Sequence, residues 1–235
     1  MAFKRYESRI IAGEILAEFM IKKEPKLEML LKDDAKNFFC FAIPNGGVPV
    51  AEGFSSRTAI NYDLLIVRKI KIPYNTEAGF GAVTTDGTVL INDPLLGQLN
   101  LTQEEIKASI ELTKREIEDR LKFYDKKLNL EENYKKNIEG KYIFIIDDGL
   151  ASGFTMLAAV KMIKKYNPKK ILISVPTAPL GTVERIKKEV DQIFCPNVRD
   201  VMWFAVADAY KNWYDVPESE VLEIIRKSKL YLKLT

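Results

Sequence analysis

Apolar and polar positions follow two rhythms along this chain. Continuous apolar runs at 38–43 ("FFCFAI"), 63–67 ("DLLIV"), 141–146 ("KYIFII"), 170–176 ("KILISVP"), 192–195 ("QIFC") and 201–207 ("VMWFAVA") have the length of buried strands. Between them, residues 9–20, 154–166, 180–190 and 217–228 repeat apolar positions at helical spacing. Residues 48–59 read as a further short helix. Apolar strands alternating with helices predict an α/β fold, doubly wound around a mostly parallel sheet that is covered on both faces.

Three stretches depart from that alternation. Residues 81–92 ("GAVTTDGTVLIN") alternate around Asp86-Gly87, a hairpin signal. Thr102 and Glu105 have capping-box spacing at the start of a long helix. Ile106, Ile110, Ile117, Leu121, Tyr124 and Leu128 form its apolar stripe, which suits a sheet or a partner subunit. Residues 131–140 ("EENYKKNIEG") are polar, end in glycine and read as a surface connection.

Composition narrows the chemistry. The 235 residues are 47% hydrophobic, enough for one sizeable core, and 1–235 reads as a single domain. There is no histidine, which excludes Ser-His-Asp hydrolysis, Cys-His proteolysis and His-ligated zinc. Basic and acidic residues nearly balance, 36 against 33, so no nucleic-acid partner is expected. No apolar run reaches the roughly 20 residues of a membrane span, and no membrane association is expected. Cys40 and Cys195 lie in apolar runs and read as buried free thiols of a cytoplasmic protein.

The densest chemistry is at 142–155, "YIFIIDDGLASGFT". Asp147 and Asp148 follow a strand and fall where open α/β sheets bind ligands. Two adjacent carboxylates need hydroxyl donors, a cation or water. Gly149 and Gly153 let the backbone approach a ligand, Ser152 and Thr155 add hydroxyls, and a helix start offers free N–H groups to an anion. Acceptors followed by anion donors match the diol and the phosphate of a sugar phosphate. The loop lacks the Gly-Lys-[Ser/Thr] of a Walker A motif.

"IIDDGLASGFT" resembles the phosphoribosyl-pyrophosphate (PRPP) signature of the type I phosphoribosyltransferases. "AIPNGGVPVA", "VRKIKIPYNTEAGFGAV" and "VPTAP" resemble, in order, a subgroup of predicted phosphoribosyltransferases of unassigned substrate. The resemblance implies that Asp147 and Asp148 hold the ribose hydroxyls, and that Gly149, Leu150, Ala151, Ser152, Gly153, Phe154 and Thr155 wrap the 5-phosphate. It also makes Asn45, Gly46 and Gly47 the pyrophosphate loop, often with a cis peptide nearby. Family members often have a basic residue at the position of Asn45, which brings no charge. Arg68 and Lys69, at the end of the second apolar run, are expected to face pyrophosphate, with Lys71 assisting. Residues 73–81 are expected to form a mobile flap, in which Glu77 positions substrate. Mg²⁺ is expected as cofactor, held mainly by pyrophosphate and ribose oxygens with Asp147 and Asp148 as candidate protein ligands.

The acceptor is less constrained. In oxopurine members a third acid stands where this chain has Ala151, which weighs against hypoxanthine or guanine. A small hood, residues 200–235 with the N-terminal helix, is expected to cover a small-molecule acceptor. Trp203, Phe204, Tyr210, Trp213 and Tyr214 either stack on it or belong to the core. The reading is thus a pentosyltransferase, expected as a homodimer. Its rival is a non-catalytic PRPP or nucleotide sensor of the same fold. A doubly wound methyltransferase fits poorly, because it calls for one acid after the second strand instead of an adjacent pair.

Overall fold

A computed structural model describes residues 4–126 and 130–232. In chain order, helices α1 (Arg9–Lys23) and α2 (Pro25–Asp33) precede strand β1 (Phe38–Ala42), helix α3 (Gly47–Thr58) and strand β2 (Tyr62–Leu64). An antiparallel unit follows: β3 (Val67–Ile72), β4 (Asn75–Thr84) and β5 (Val89–Ile91), then α4 (Asp93–Leu96), α5 (Gln103–Phe123) and α6 (Glu131–Ile138). The chain continues through β6 (Tyr142–Ile146), α7 (Phe154–Lys164), β7 (Lys170–Ser174), β8 (Thr177–Pro179), α8 (Leu180–Ile186), β9 (Gln192–Phe194), β10 (Asn197–Arg199) and α9 (Glu218–Lys227).

Five of the apolar runs contribute a parallel sheet in the order β2-β1-β6-β7-β9. The central strands β1 and β6 are buried at every position, as strands covered on both faces must be. Phe144 sits at the middle of the core, its ring 5.2 Å from Phe54, 6.4 Å from Phe38 and 6.5 Å from Phe194.

Helix α1 lies almost backbone to backbone on α3. A Cβ at Gly13 would fall 2.0 Å from the Val50 carbonyl oxygen, and one at Gly53 would fall 2.0 Å from that of Ile10. Glycine at both crossing points sets the depth of α1, and that depth decides where its first residue, Arg9, reaches.

The hairpin and the capping box take their expected forms. Gly87 has φ +79°, and Asp86 accepts from the Thr84 and Thr88 hydroxyls and from Thr88 N–H. Thr102 and Glu105 exchange both capping bonds. The α5 stripe packs within the chain on the hairpin sheet, with Ile117, Leu121 and Tyr124 buried. Leu128 lies outside the described residues.

Three expectations change. Residues 131–138 are helix α6, which buries Tyr134 and Ile138 on one side, so the polar stretch is amphipathic and more than a surface link. Residues 201–207 form no strand: Met202 and Trp203 are 90% and 85% exposed, and β10 at 197–199 pairs with β8 instead. The run 63–67 is not one strand. β2 ends at Leu64, and the Thr85 hydroxyl accepts Ile66 N–H while donating to the Ile66 carbonyl, steering the chain into the hairpin sheet.

Candidate active site

Strands β1 and β6 are neighbours, yet α3 carries the chain from β1 to β2 and α7 carries it from β6 to β7 on the opposite side. Their carboxyl ends bound the crevice where open α/β sheets take ligands. At this edge Ala42 is paired with Ile146, and Ile43 N–H donates to the Ile146 carbonyl at 2.9 Å. Two loops border it, 43–46 after β1 and 147–153 after β6.

The loops touch. A Cβ at Gly46 would lie 1.9 Å from Asp148 Oδ2, so only glycine lets the first loop rest on the acid pair. The Pro44–Asn45 peptide in the same loop is cis.

Asp147 and Asp148 emerge half-buried. Asp147 Oδ1 accepts Asp148 N–H at 2.8 Å. Asp148 Oδ2 accepts Arg9 Nε, also at 2.8 Å, in an ion pair whose side chains are 16% and 5% exposed. Arg9 in turn lies under three rings, 4.2 Å from the centroid of Trp213, 5.3 Å from Tyr214 and 5.4 Å from Tyr210. The Tyr210 hydroxyl donates to the Asp148 carbonyl at 2.6 Å.

Burial raises the pKa of Asp147, and the Asp148 charge raises it further. Burial raises Asp148 too, while Arg9 pulls it down. The pair resists carrying two charges, and Arg9 favours the charge on Asp148.

The loop after the acids is anchored from α8. Thr182 Oγ1 donates to the Ala151 carbonyl at 2.8 Å, and the Arg185 guanidinium donates to the Ser152 carbonyl. In a trans peptide the N–H opposes the C=O, so the amides of Ser152 and Gly153 point away from α8. Gly153 takes φ +70° as the residue before α7, whose first turn has amides without intrahelical partners, that of Phe154 donating to Ser152 Oγ at 3.4 Å. Leu150 is buried and donates its N–H to Thr177, whereas Ala151 and Ser152 are exposed and Phe154 and Thr155 half-buried. Donors for an anion therefore follow the acid pair directly.

The basic residues are arranged differently from expectation. Arg68 and Lys69 lie on β3 of the hairpin sheet and not at the end of a parallel strand. Arg68 and Lys71 share Glu116 of α5, at 3.4 and 2.9 Å. Lys69 is exposed and donates to the Glu77 carbonyl across the hairpin. The hairpin tip at 73–77 is exposed. Asn45 accepts from Arg120 Nη1 at 2.7 Å and donates to the Val216 carbonyl at 2.7 Å.

The aromatic set divides. Tyr210, Trp213 and Tyr214 gather around Arg9, whereas Trp203 faces solvent and Phe204 lies 6.0 Å from the Arg199 guanidinium. Arg9, Arg120, Thr182 and Arg185 have no motif in the sequence to announce them. Each is an ordinary polar residue of a helix until the helix is placed.

The family model described as "Phosphoribosyl transferase domain" matches residues 13–212. The Mycobacterium tuberculosis protein named "Putative phosphoribosyl transferase Rv0571c" is 26% identical over 225 residues, 96% of this chain and 47% of that protein. The chain thus spans about half the length of this relative. Uracil phosphoribosyltransferase of Ureaplasma parvum is 41% identical over 61 residues, 25% of this chain and 30% of that protein. The crystal structure of TT1426 from Thermus thermophilus shares the fold, with TM-score 0.68 at 24% identity over 94% of this chain and 97% of that one.

Proposed function

From the premise that this chain belongs to the phosphoribosyl transferase domain family, we propose that it transfers the 5-phosphoribosyl group of PRPP to a small-molecule acceptor. One observation carries the reading: the acid pair and the anion-donating loop are contiguous at the β1/β6 switch point, in the order a sugar phosphate needs.

In this reading Asp148, and Asp147 beside it, accept hydrogen bonds from the ribose hydroxyls. Gly149 to Thr155 and the first turn of α7 hold the 5-phosphate. Gly46 and Gly47 border the pyrophosphate. The bond from ribose C1 to the pyrophosphate oxygen breaks with its electron pair leaving on oxygen. The acceptor's nucleophile forms the new bond to C1 and releases its proton to water or a base. Positive charge develops on the sugar ring, and the negative charge of the acid pair stabilises it.

The family's usual cation fits these residues. Carboxylate oxygens are the donors Mg²⁺ prefers, and Asp147 and Asp148 supply them. In this reading the ion is carried in mainly by pyrophosphate. Bound there, Mg²⁺ would neutralise charge on the departing group. In this reading the flap at 73–81, with Lys69 and Glu77, closes over the site and excludes water. Ala151, exposed and without a carboxylate, supports an acceptor other than an oxopurine.

A sensor that binds PRPP without turnover is the second reading, favoured by the uncharged Asn45. The test is a screen for PRPP- and Mg²⁺-dependent pyrophosphate release across nucleobases and small amines, with PRPP binding measured in parallel. Binding with no release for any acceptor selects the sensor. A wild-type protein that fails to bind PRPP ends both readings.

A further inference from the structure

We infer that Arg120 is a pyrophosphate-binding residue, brought to the glycine loop by Asn45 and neutralised by Glu218 until the ligand arrives. The inference rests on the reading of this site as a PRPP site.

Asn45 immediately precedes Gly46, which packs against Asp148. Its side-chain amide works in two directions. Nδ2 donates to the Val216 carbonyl at 2.7 Å, while Oδ1 accepts from Arg120 Nη1 at 2.7 Å and from the Tyr124 hydroxyl at 3.3 Å. A lysine or arginine at this position has no acceptor to offer. Asparagine brings no charge of its own, but it fixes the charge of another residue at the loop.

The guanidinium comes from α5, which Ile117, Leu121 and Tyr124 seat on the hairpin sheet. The Arg120 side chain is 18% exposed, so it reaches solvent from a mostly enclosed position. Arg68 approaches from the hairpin. Burial raises the Tyr124 hydroxyl to about 12, and Arg120 and Arg68 both pull it down while Glu218 pushes it up. Arg120 and Tyr124 thus meet on one oxygen of the loop, Asn45 Oδ1.

Each of these cations has a carboxylate partner. Arg120 Nη2 lies 2.9 Å from Glu218 Oε1, whose side chain is 36% exposed, and Arg68 shares Glu116 with Lys71. A guanidinium has five N–H donors, and the bonds to Asn45 and Glu218 engage two of its nitrogens. Glu218, at 36%, is the more open partner of this pair. Exchanging Glu218 for pyrophosphate oxygens gives a charge-assisted, multiply bonded contact in its place. An Arg120 that served only to tie α5 to α9 would leave ligand affinity alone.

The test is calorimetric titration with PRPP and, in parallel, with ribose 5-phosphate, which lacks pyrophosphate, both with Mg²⁺ present. Arg120→Gln is expected to weaken PRPP about tenfold or more, the loss expected for one charged hydrogen bond, and to leave ribose 5-phosphate unchanged. Arg120→Lys is expected to recover part of the loss. Glu218→Gln keeps the arginine and removes its competitor, so PRPP is expected to bind several-fold tighter with ribose 5-phosphate unchanged. That variant decides the matter if Arg120→Gln does not fold. Equal weakening of both ligands by Arg120→Gln, or unchanged PRPP affinity in either variant, overturns the inference. Wild-type protein that binds neither ligand overturns the PRPP reading itself, whereas wild type that binds both, with Arg120→Gln indifferent, overturns only the role of Arg120.

Discussion

Arg9 and Asp148 stand 139 positions apart in the chain and meet as a 2.8 Å ion pair at the centre of the candidate site. The first residue of α1 thereby becomes the resident counter-ion of Asp148. Three aromatic rings cover the guanidinium, so this pair is shielded from water far more than a surface bridge.

Arg9→Gln should destabilise the protein by about 3 kcal/mol, the lower end for removing one partner of a buried pair, because Asp148 keeps some contact with solvent. Urea unfolding at neutral pH measures it. The same variant frees the Asp148 carboxyl from the charge that holds its pKa down. The acid limb of PRPP binding should therefore move to higher pH, and Arg9→Lys should move it part of the way back. An unshifted limb would mean that Arg9 does not tune Asp148.

Asp147→Asn should weaken PRPP binding and yet stabilise the fold near neutral pH. The sign follows from the raised folded-state pKa of Asp147, caused by burial and then by Asp148. A carboxyl raised in this way favours the folded state below its unfolded pKa and loses that advantage as pH rises through the folded value. Asparagine has no charge to lose and still accepts Asp148 N–H. The thermal midpoint of the variant should exceed that of wild type by a margin that widens with pH. A margin that narrows with pH would contradict the assignment.

Gly46→Ala should cut PRPP affinity about tenfold or more, since the new methyl would lie 1.9 Å from Asp148 Oδ2 and must displace the carboxylate or the loop. The fold should survive with a cost of about 1–3 kcal/mol. Binding titration and chemical unfolding on one sample separate the two effects, and wild-type affinity in this variant would show that the loop does not belong to the site.

Phe144→Ala should cost about 3–5 kcal/mol, because the ring is fully buried among Phe38, Phe54 and Phe194 and the strand around it has little room to close the cavity. Guanidinium unfolding reads it. A cost under about 1 kcal/mol would mean that the centre of the sheet is packed otherwise.

How much was legible depends on the range of the cause. The strands at 38–42 and 142–146 follow from continuous apolar runs, and the Thr102/Glu105 cap and the Asp86-Gly87 turn follow from neighbours in sequence. Helix α6 was harder to see, because Tyr134 and Ile138 are its few apolar contacts amid charged residues. The run at 201–207 misled for the opposite reason, since its apolar side chains serve no sheet. Arg68 and Lys69 look like the end of a parallel strand until the Thr85 hydroxyl, reaching from the hairpin, turns the backbone at Ile66.

The sequence by itself determined the local order of the candidate site: residues 142–155 form one continuous strand, acid pair, loop and helix start, and local rules suffice to order them. Tertiary structure decided which cations lie beside it. Arg9 reaches Asp148 because Gly13 and Gly53 let α1 sink onto α3, and Arg120 reaches Asn45 because α5 is seated on the hairpin sheet. Charges act through space over a few ångströms, and only the packing of remote helices sets those distances.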